Sequence, residues 1–396
     1  MRIAVVAGPD AGHALPALAL CERFRDAGDE ALLFTGERWF ALARDHEVPT
    51  RALVGLELAP GEQDLDAGRR IHERAARMAA QLAPLLAEFR PDLVVSDVLT
   101  AGGGLAAELL GVPWAELSPH PLYLPSRGLP PIGSGLAPGR GVRGRLRDTV
   151  LRALSARSVR RGLAQRRAAR EGIGLPPNGA EPAARLVAAL PALEVPRPDW
   201  PAEAALVGPV LVEVSDQTLE PPPGDAPLVA LAPSTAAQAV DGLCETALEA
   251  LDPAVLGRQV RLAVSTFRWT GPPLPDWAVA GIGRQDQLFG QAAVVVCGGG
   301  HGVLAKAFMA GAPAVVVPGG GDQWEVAKRA ERLGCAKAIR PLTVAALRDA
   351  VLELMDDPGF RAAARRAGDS AGRAADPVAV CRRAARASGE TGSPCV

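Results

Sequence analysis

Short runs of branched apolar residues recur along this chain, each stopped by glycine, proline or an acid and followed by a longer segment with helical apolar spacing. Residues 2–7 read as a buried strand that opens into Gly8-Pro9-Asp10-Ala11-Gly12-His13 and a helix ending near Asp26-Ala27-Gly28. Residues 31–35, 92–97 and 113–118 repeat the strand pattern, and Asp97 and Ser118 stand at two C-terminal ends. After residue 227 the rhythm restarts, with runs at 228–232, 260–265, 294–297 and 314–317. Near-continuous apolar strands alternating with helices predict parallel sheets covered on both faces, a doubly wound α/β architecture. Ligands of such sheets lie beyond the carboxyl ends of the strands, where His13, Asp97 and Ser118 emerge.

A chain of 396 residues exceeds one ordinary core and predicts two domains. Proline is dense between residues 191 and 227, including Pro221-Pro222-Pro223, as in a semi-rigid connector. The expected division is a first domain over 1–205, a linker over 206–226, a second domain over 227–370, and a C-terminal helix and tail over 371–396 that packs back on the first domain.

Charge and cysteine usage narrow the class. The formal net charge of −1 gives no bulk attraction to nucleic acid. Six scattered cysteines form no CxxC pair, which argues against disulfide or zinc frameworks. No apolar run approaches the roughly 20 residues that a membrane span needs, so no integral membrane segment and a cytoplasmic location are expected. Residues 140–170 are strongly basic with no aromatic residue. They read either as a solvated helical pair or as a surface for an anionic acceptor or a membrane.

The stretch 293–323 carries the densest chemistry: a strand, Gly298-Gly299-Gly300-His301-Gly302, an alanine-rich helix, a second strand and Asp322-Gln323. Glycines let backbone amides approach an anion, and a helix start adds partial positive charge, so this is a candidate diphosphate cradle. Gly300-x-Gly302-x-x-Ala305 also matches a dinucleotide fingerprint, with Asp322 as the ribose acid. Pro318-Gly319-Gly320-Gly321, however, separates that acid from its strand. Asp64-Leu65-Asp66 has the form of a metal-binding DxD but lies far from the cradle in sequence. Among five histidines, His46 reads as a solvated loop residue, His72 lies on a charged helix, and His120 follows a strand between two prolines. His13 and His301 sit in glycine-bearing strand-to-helix loops. His13 with Asp97 can form a general base and the acid that orients it; a helix-capping His13 and a turn-forming Asp97 are the alternative.

In order, GPDAGH, PDLVVSD, GVPWAELS, VPRPDWPAEAALVGP, LVALAPSTA, GRQDQLF and the glycine motif resemble the family 1 glycosyltransferases of GT-B fold, in particular actinobacterial enzymes that glycosylate natural products. The resemblance covers nearly the whole chain. It implies two Rossmann-like domains facing a central cleft, and an inverting, metal-independent transfer with no cofactor. The sugar would pass from a nucleoside-diphosphate donor, dTDP- or UDP-linked, to a hydroxyl of a small hydrophobic acceptor. By the resemblance, His13 is the general base and Asp97 its partner, and Ser234, Thr235 and the glycine loop hold the donor phosphates. Gln285 falls in the nucleobase stretch, and Asp322 and Gln323 read the sugar. His72 and His120 are candidate acceptor contacts, and a homodimer is a further expectation.

The family's HGGxGT becomes Gly298-Gly299-Gly300-His301-Gly302-Val303 here. Two side-chain phosphate contacts are thereby missing, and His301 is the candidate to restore one of them or to face the acceptor. A degenerate sugar-nucleotide-binding accessory protein, an NAD-dependent oxidoreductase and a sugar-nucleotide epimerase remain the alternatives.

Overall fold

The computed structural model describes residues 1–57, 66–235 and 239–391. Asp64 and Leu65 of the DxD lie outside the described residues, as does Cys395.

Two parallel sheets organise the chain. The first contains β1 (Arg2–Val6), β2 (Glu30–Thr35), β3 (Thr50–Ala52), β4 (Leu93–Asp97), β5 (Trp114–Ser118), β6 (Ala184–Val187) and β7 (Ala204–Leu206), in the order β3-β2-β1-β4-β5-β6-β7. The second contains β8 (Leu228–Ala232), β9 (Arg261–Ser265), β10 (Ala278–Gly281), β11 (Val294–Cys297), β12 (Ala314–Val316) and β13 (Ala336–Ala338), in the order β10-β9-β8-β11-β12-β13. The sequence pattern identified the longest strands of both sheets. It did not mark β3, β6, β7, β10 and β13, which are only three or four residues long.

The apolar runs are explained by burial on both faces. Ile3, Val5, Leu93 and Val95 enter one core, while Ala4, Val6, Val94 and Phe34 enter another across the same sheet. The second sheet divides likewise between Ala230, Val295 and Val316 on one side and Val229, Val294 and Val315 on the other. Period-two side-chain alternation therefore feeds two cores from one strand, which leaves no polar face to advertise it.

Each sheet reverses its winding direction at one place, and loops diverge there to leave a crevice. In the first sheet this falls between β1 and β4, paired with Val6 opposite Ser96. The loops bearing His13 and Asp97 are thus neighbours despite 84 residues of separation. In the second sheet it falls between β8 and β11, paired with Ala232 opposite Cys297. That pairing puts Ser234 against the glycine loop.

The connector is less separate than its prolines suggest. Val207, Val210 and Val212 are buried in the first domain's core, and Leu219 in the second's. The segment after β6 crosses over: Leu190 and Leu193 pack in the second domain's core. The helix Pro377–Thr391 returns to the first domain, where Val378, Val380 and Cys381 join the β1 and β4 side chains. Arg382 anchors it by donating to Asp29 and to the Ala27 carbonyl. The basic segment is one continuous helix, Gly141–Glu171, and not a helical pair.

Candidate active site

A cleft of about 420 Å³ is lined from both domains, by Asp10, His13 and His120 on one side and Ser234, Gly298 and Asp322 on the other. Its chemistry starts with the helix Ala11–Asp26, whose first turn carries His13 and whose N-cap position is Asp10. His13 Nδ1 lies 2.8 Å from Asp97 Oδ2. Asp97 ends β4 with a side-chain exposure of 0%, and its Oδ1 accepts from the Leu99 amide at 2.8 Å. With both oxygens engaged, the carboxylate holds the imidazole with Nδ1 protonated and leaves Nε2 with its lone pair, an arrangement able to accept a proton. Burial opposes the imidazolium of His13, but the hydrogen bond and charge of Asp97, followed by the charges of Asp10 and Asp322, outweigh it. The His13 pKa therefore lies above its ordinary value.

His120 meets His13 edge-on at 6.4 Å between ring centroids and stacks on Tyr123 at 4.5 Å. Its Nδ1 is 2.8 Å from the Pro121 carbonyl, so the neutral ring keeps Nε2 as an acceptor. Tyr123 in turn donates to Asp322 Oδ2 at 3.1 Å, across the cleft. Burial first, then the charge of Asp322, pushes the Tyr123 pKa well above its ordinary value. Nothing in the sequence pattern marks Tyr123, because it lies in an irregular loop; being the chain's one tyrosine was the available signal.

The glycine loop joins β11 to the helix His301–Met309, with Gly300 as N-cap. Gly299 adopts φ +87°, the left-handed region that favours glycine. At Gly298 a Cβ would sit 2.6 Å from the Ser234 Cβ. The missing histidine is therefore also a close approach of two loops. Gly298, Gly300, Gly302, Ser234 and Thr235 line the cleft. Gln323 locks this arrangement: its Oε1 accepts from the Gly319 amide at 2.8 Å, and its Nε2 donates to Ser234 Oγ at 3.1 Å.

His301 lines the cleft on the side of Pro119 and His120, whereas His72 does not line it. His301 turns its ring toward the first domain, not into the phosphate loop. Its Nε2 accepts from the Leu190 amide at 2.9 Å, and the Pro119 carbonyl takes its other nitrogen. Burial, with His120 and Arg329 nearby, takes its pKa down to about 3, so it bridges the domains as a neutral ring. His72 is not among the residues lining the cleft. It lies on the helix Ala67–Phe89, where burial and the charge of Arg166 lower its pKa.

A second polar cluster escaped the sequence reading. Lys306 Nζ pairs with Glu213 Oε1 at 2.9 Å and donates to the Val212 carbonyl and to Gln285 Oε1. Gln285 also donates to Ser265 Oγ, and its amide to Glu213. Lys306 lies inside an apolar helix, and its partner lies in the connector 93 positions away, with nothing in the sequence to announce the pair. Asp66 of the DxD accepts from Arg161 and Gln165. Among the described residues no group of three or more His, Cys, Asp or Glu side chains is placed to hold a metal ion.

No protein-family profile matches the chain. It is 28% identical over 413 residues to 4'-demethylrebeccamycin synthase of Lentzea aerocolonigenes, covering 93% of this chain and 95% of that protein. The crystal structure of the kitacinnamycin glycotransferase superposes with a TM-score of 0.74 at 22% identity, over 99% of each chain. The Streptomyces sp. SF2575 glycosyltransferase SsfS6, complexed with thymidine diphosphate, gives 0.65 at 21% identity over 97% of this chain and 99% of its own. The fold is thus that of the GT-B glycosyltransferases, and the resemblance to their actinobacterial natural-product members is borne out.

Proposed function

We propose that the protein is a glycosyltransferase that moves a sugar from a nucleoside diphosphate to a hydroxyl of a small hydrophobic natural product, with inversion. The His13–Asp97 pair, set in a cleft opposite a glycine loop at a helix N-terminus, is the observation that carries this reading. The relative at 28% identity is named as a 4'-demethylrebeccamycin synthase, and one solved neighbour, itself a glycosyltransferase, holds thymidine diphosphate. The bound thymidine diphosphate of that neighbour favours a dTDP-sugar over a UDP-sugar as donor.

In the proposed reaction, His13 Nε2 takes the proton of the acceptor hydroxyl. The oxygen forms a bond to the anomeric carbon as the bond from that carbon to the diphosphate oxygen breaks. The electron pair leaves with the diphosphate. Asp97 stabilises the resulting imidazolium, the role its position against Nδ1 suits. Negative charge grows on the leaving group, and amides of the glycine loop and the start of the His301–Met309 helix offset it. Asp322 and Gln323 would read the sugar, with the Gln323 amide first released from Gly319 or Ser234. His120, stacked beside the base, suits the acceptor side. The reaction is proposed to need no divalent cation, because these dipoles supply the positive potential.

Incubation with dTDP- and UDP-sugars and a panel of aromatic and macrocyclic aglycones, followed by mass spectrometry, tests the reading. A hexose or deoxyhexose mass increment with release of nucleoside diphosphate supports it. Diphosphate binding without transfer to any acceptor would favour an accessory protein instead.

A further inference from the structure

The helix Gly141–Glu171 carries ten arginines against two acids, in a chain whose formal net charge is −1. One of those acids, Asp148, is buried under Arg147 and the Gly139 amide, so it contributes little to the outer face. The helix also holds six of the fifteen exposed large apolar side chains among the described residues. Val142, Leu146, Val150 and Leu154 are 78%, 62%, 50% and 75% exposed. They follow one another at four-residue spacing, which sets them along one side of the helix. The buried Asp148 and the half-buried Gly144 and Ser155 mark the opposite side, which faces the protein.

Concentration of exposed apolar side chains in one patch signals a contact surface, whereas single exposed leucines do not. The character of this patch narrows what it touches. The helix sets aliphatic side chains beside guanidinium groups on this face. Aliphatic side chains fringed by arginines suit the boundary between lipid headgroups and acyl chains, where guanidinium groups remain with phosphates. Arg143, Arg157 and Arg160 are exposed and form no ion pair among the described residues, so their charge is available. No described helix is long and apolar enough to cross a membrane, so the contact is peripheral.

We infer that the outer face of helix Gly141–Glu171 docks the protein on an anionic phospholipid bilayer. The inference does not rest on the proposed reaction. The loop carrying His120 and Tyr123 leads directly into this helix, so docking holds that side of the cleft near the lipid.

The test mixes the full chain with phosphatidylcholine vesicles and with vesicles containing about 30 mol% phosphatidylglycerol, followed by flotation. Partition should be at least about ten-fold stronger onto the anionic vesicles and should be lost in about 0.5 M NaCl. Leu146→Gln with Leu154→Gln should abolish flotation with the circular dichroism spectrum unchanged. Arg157→Gln with Arg160→Gln should weaken partition about five-fold for each arginine removed, about 1 kcal/mol apiece. Equal partition onto neutral vesicles, no flotation, or flotation unaffected by both variants overturns the inference. A concentration-dependent dimer that the leucine variant abolishes, without vesicle binding, also overturns it and makes this face a self-interface.

Discussion

The Tyr123 hydroxyl donates to the Asp322 carboxylate at 3.1 Å, and this one bond links the loop after β5 to the loop after β12 across the cleft. Asp322 is expected to receive a sugar hydroxyl, so Tyr123 fixes the orientation of the group that does the reading. A hydrogen bond to a charged partner contributes about 1.5–3 kcal/mol. Tyr123→Phe should therefore raise the donor KM about ten-fold or more, with a smaller effect on nucleoside diphosphate affinity, since that ligand lacks the sugar. Steady-state kinetics with the donor varied, beside calorimetry with the diphosphate alone, reads this difference. An unchanged donor KM would remove Tyr123 from sugar positioning.

The same residue offers a spectroscopic check, because the chain has a single tyrosine. In the native protein its ionisation lies well above the ordinary value of 10.0. The folded state holds that proton more tightly than the unfolded chain, so stability is intact below pH 10 and declines as pH rises above it. Tyrosinate absorbance should appear near pH 10 in denaturant and only at higher pH in the native protein. Coincident titrations would show the hydroxyl to be exposed.

The pH profile of catalysis follows from His13. Only the neutral imidazole accepts the proton, and its pKa is raised above 6.5 in the ligand-free protein. The acid limb of kcat/KM, which reports the free enzyme, should thus have its midpoint above 6.5. Asp97→Asn removes the two largest raising influences. The limb should move to lower pH, and turnover should fall by about 10²–10⁴ because the imidazolium loses its partner. A limb unmoved by the substitution would mean that it reports another group.

His301 gives a stability prediction of opposite sign. Its folded pKa is about 3 against 6.5 in the unfolded chain. As pH falls below 6.5 the unfolded chain takes up a proton that the native state refuses, so stability is lost at up to about 1.4 kcal/mol per unit. His301→Asn should start less stable by about 1–3 kcal/mol at neutral pH, because the Leu190 amide loses its buried acceptor. Its stability should then fall less steeply on acidification than the wild type's. Urea denaturation at about pH 7.5 and about pH 5 separates the two slopes.

The departure at Gly298 is predicted to be built in, not a simple loss. Because a Cβ there would meet Ser234 at 2.6 Å, Gly298→His should not restore a phosphate contact. It should push the loops apart and weaken thymidine diphosphate binding by about ten-fold or more. Tighter binding measured by calorimetry would mean that the loops yield and that the histidine reaches the phosphate.

What the sequence disclosed, and what it withheld, follows from range. His13 and Asp97 could be proposed as a pair because one opens the helix after a recognisable strand and the other ends a second strand; that these strands adjoin is a fact of the fold. The glycine loop likewise advertised itself through local backbone demands. His301 left two placements open because a loop position fixes where a residue starts, not which way its ring turns; the Leu190 amide, beyond β6, donates to its ring. Lys306 and Glu213 were illegible, since one sits in a helix and the other in a connector with no pattern relating them. The short strands β3 and β7 escaped because neither is a run of branched apolar residues like the equally short β12.

The central claim is that His13 is the base of a sugar transfer, and His13→Ala tests it most directly. Transfer should fall by about 10²–10⁴, while thymidine diphosphate binding, measured on the same preparation by calorimetry, stays within a few-fold of wild type. Turnover retained at a near wild-type rate would contradict the account.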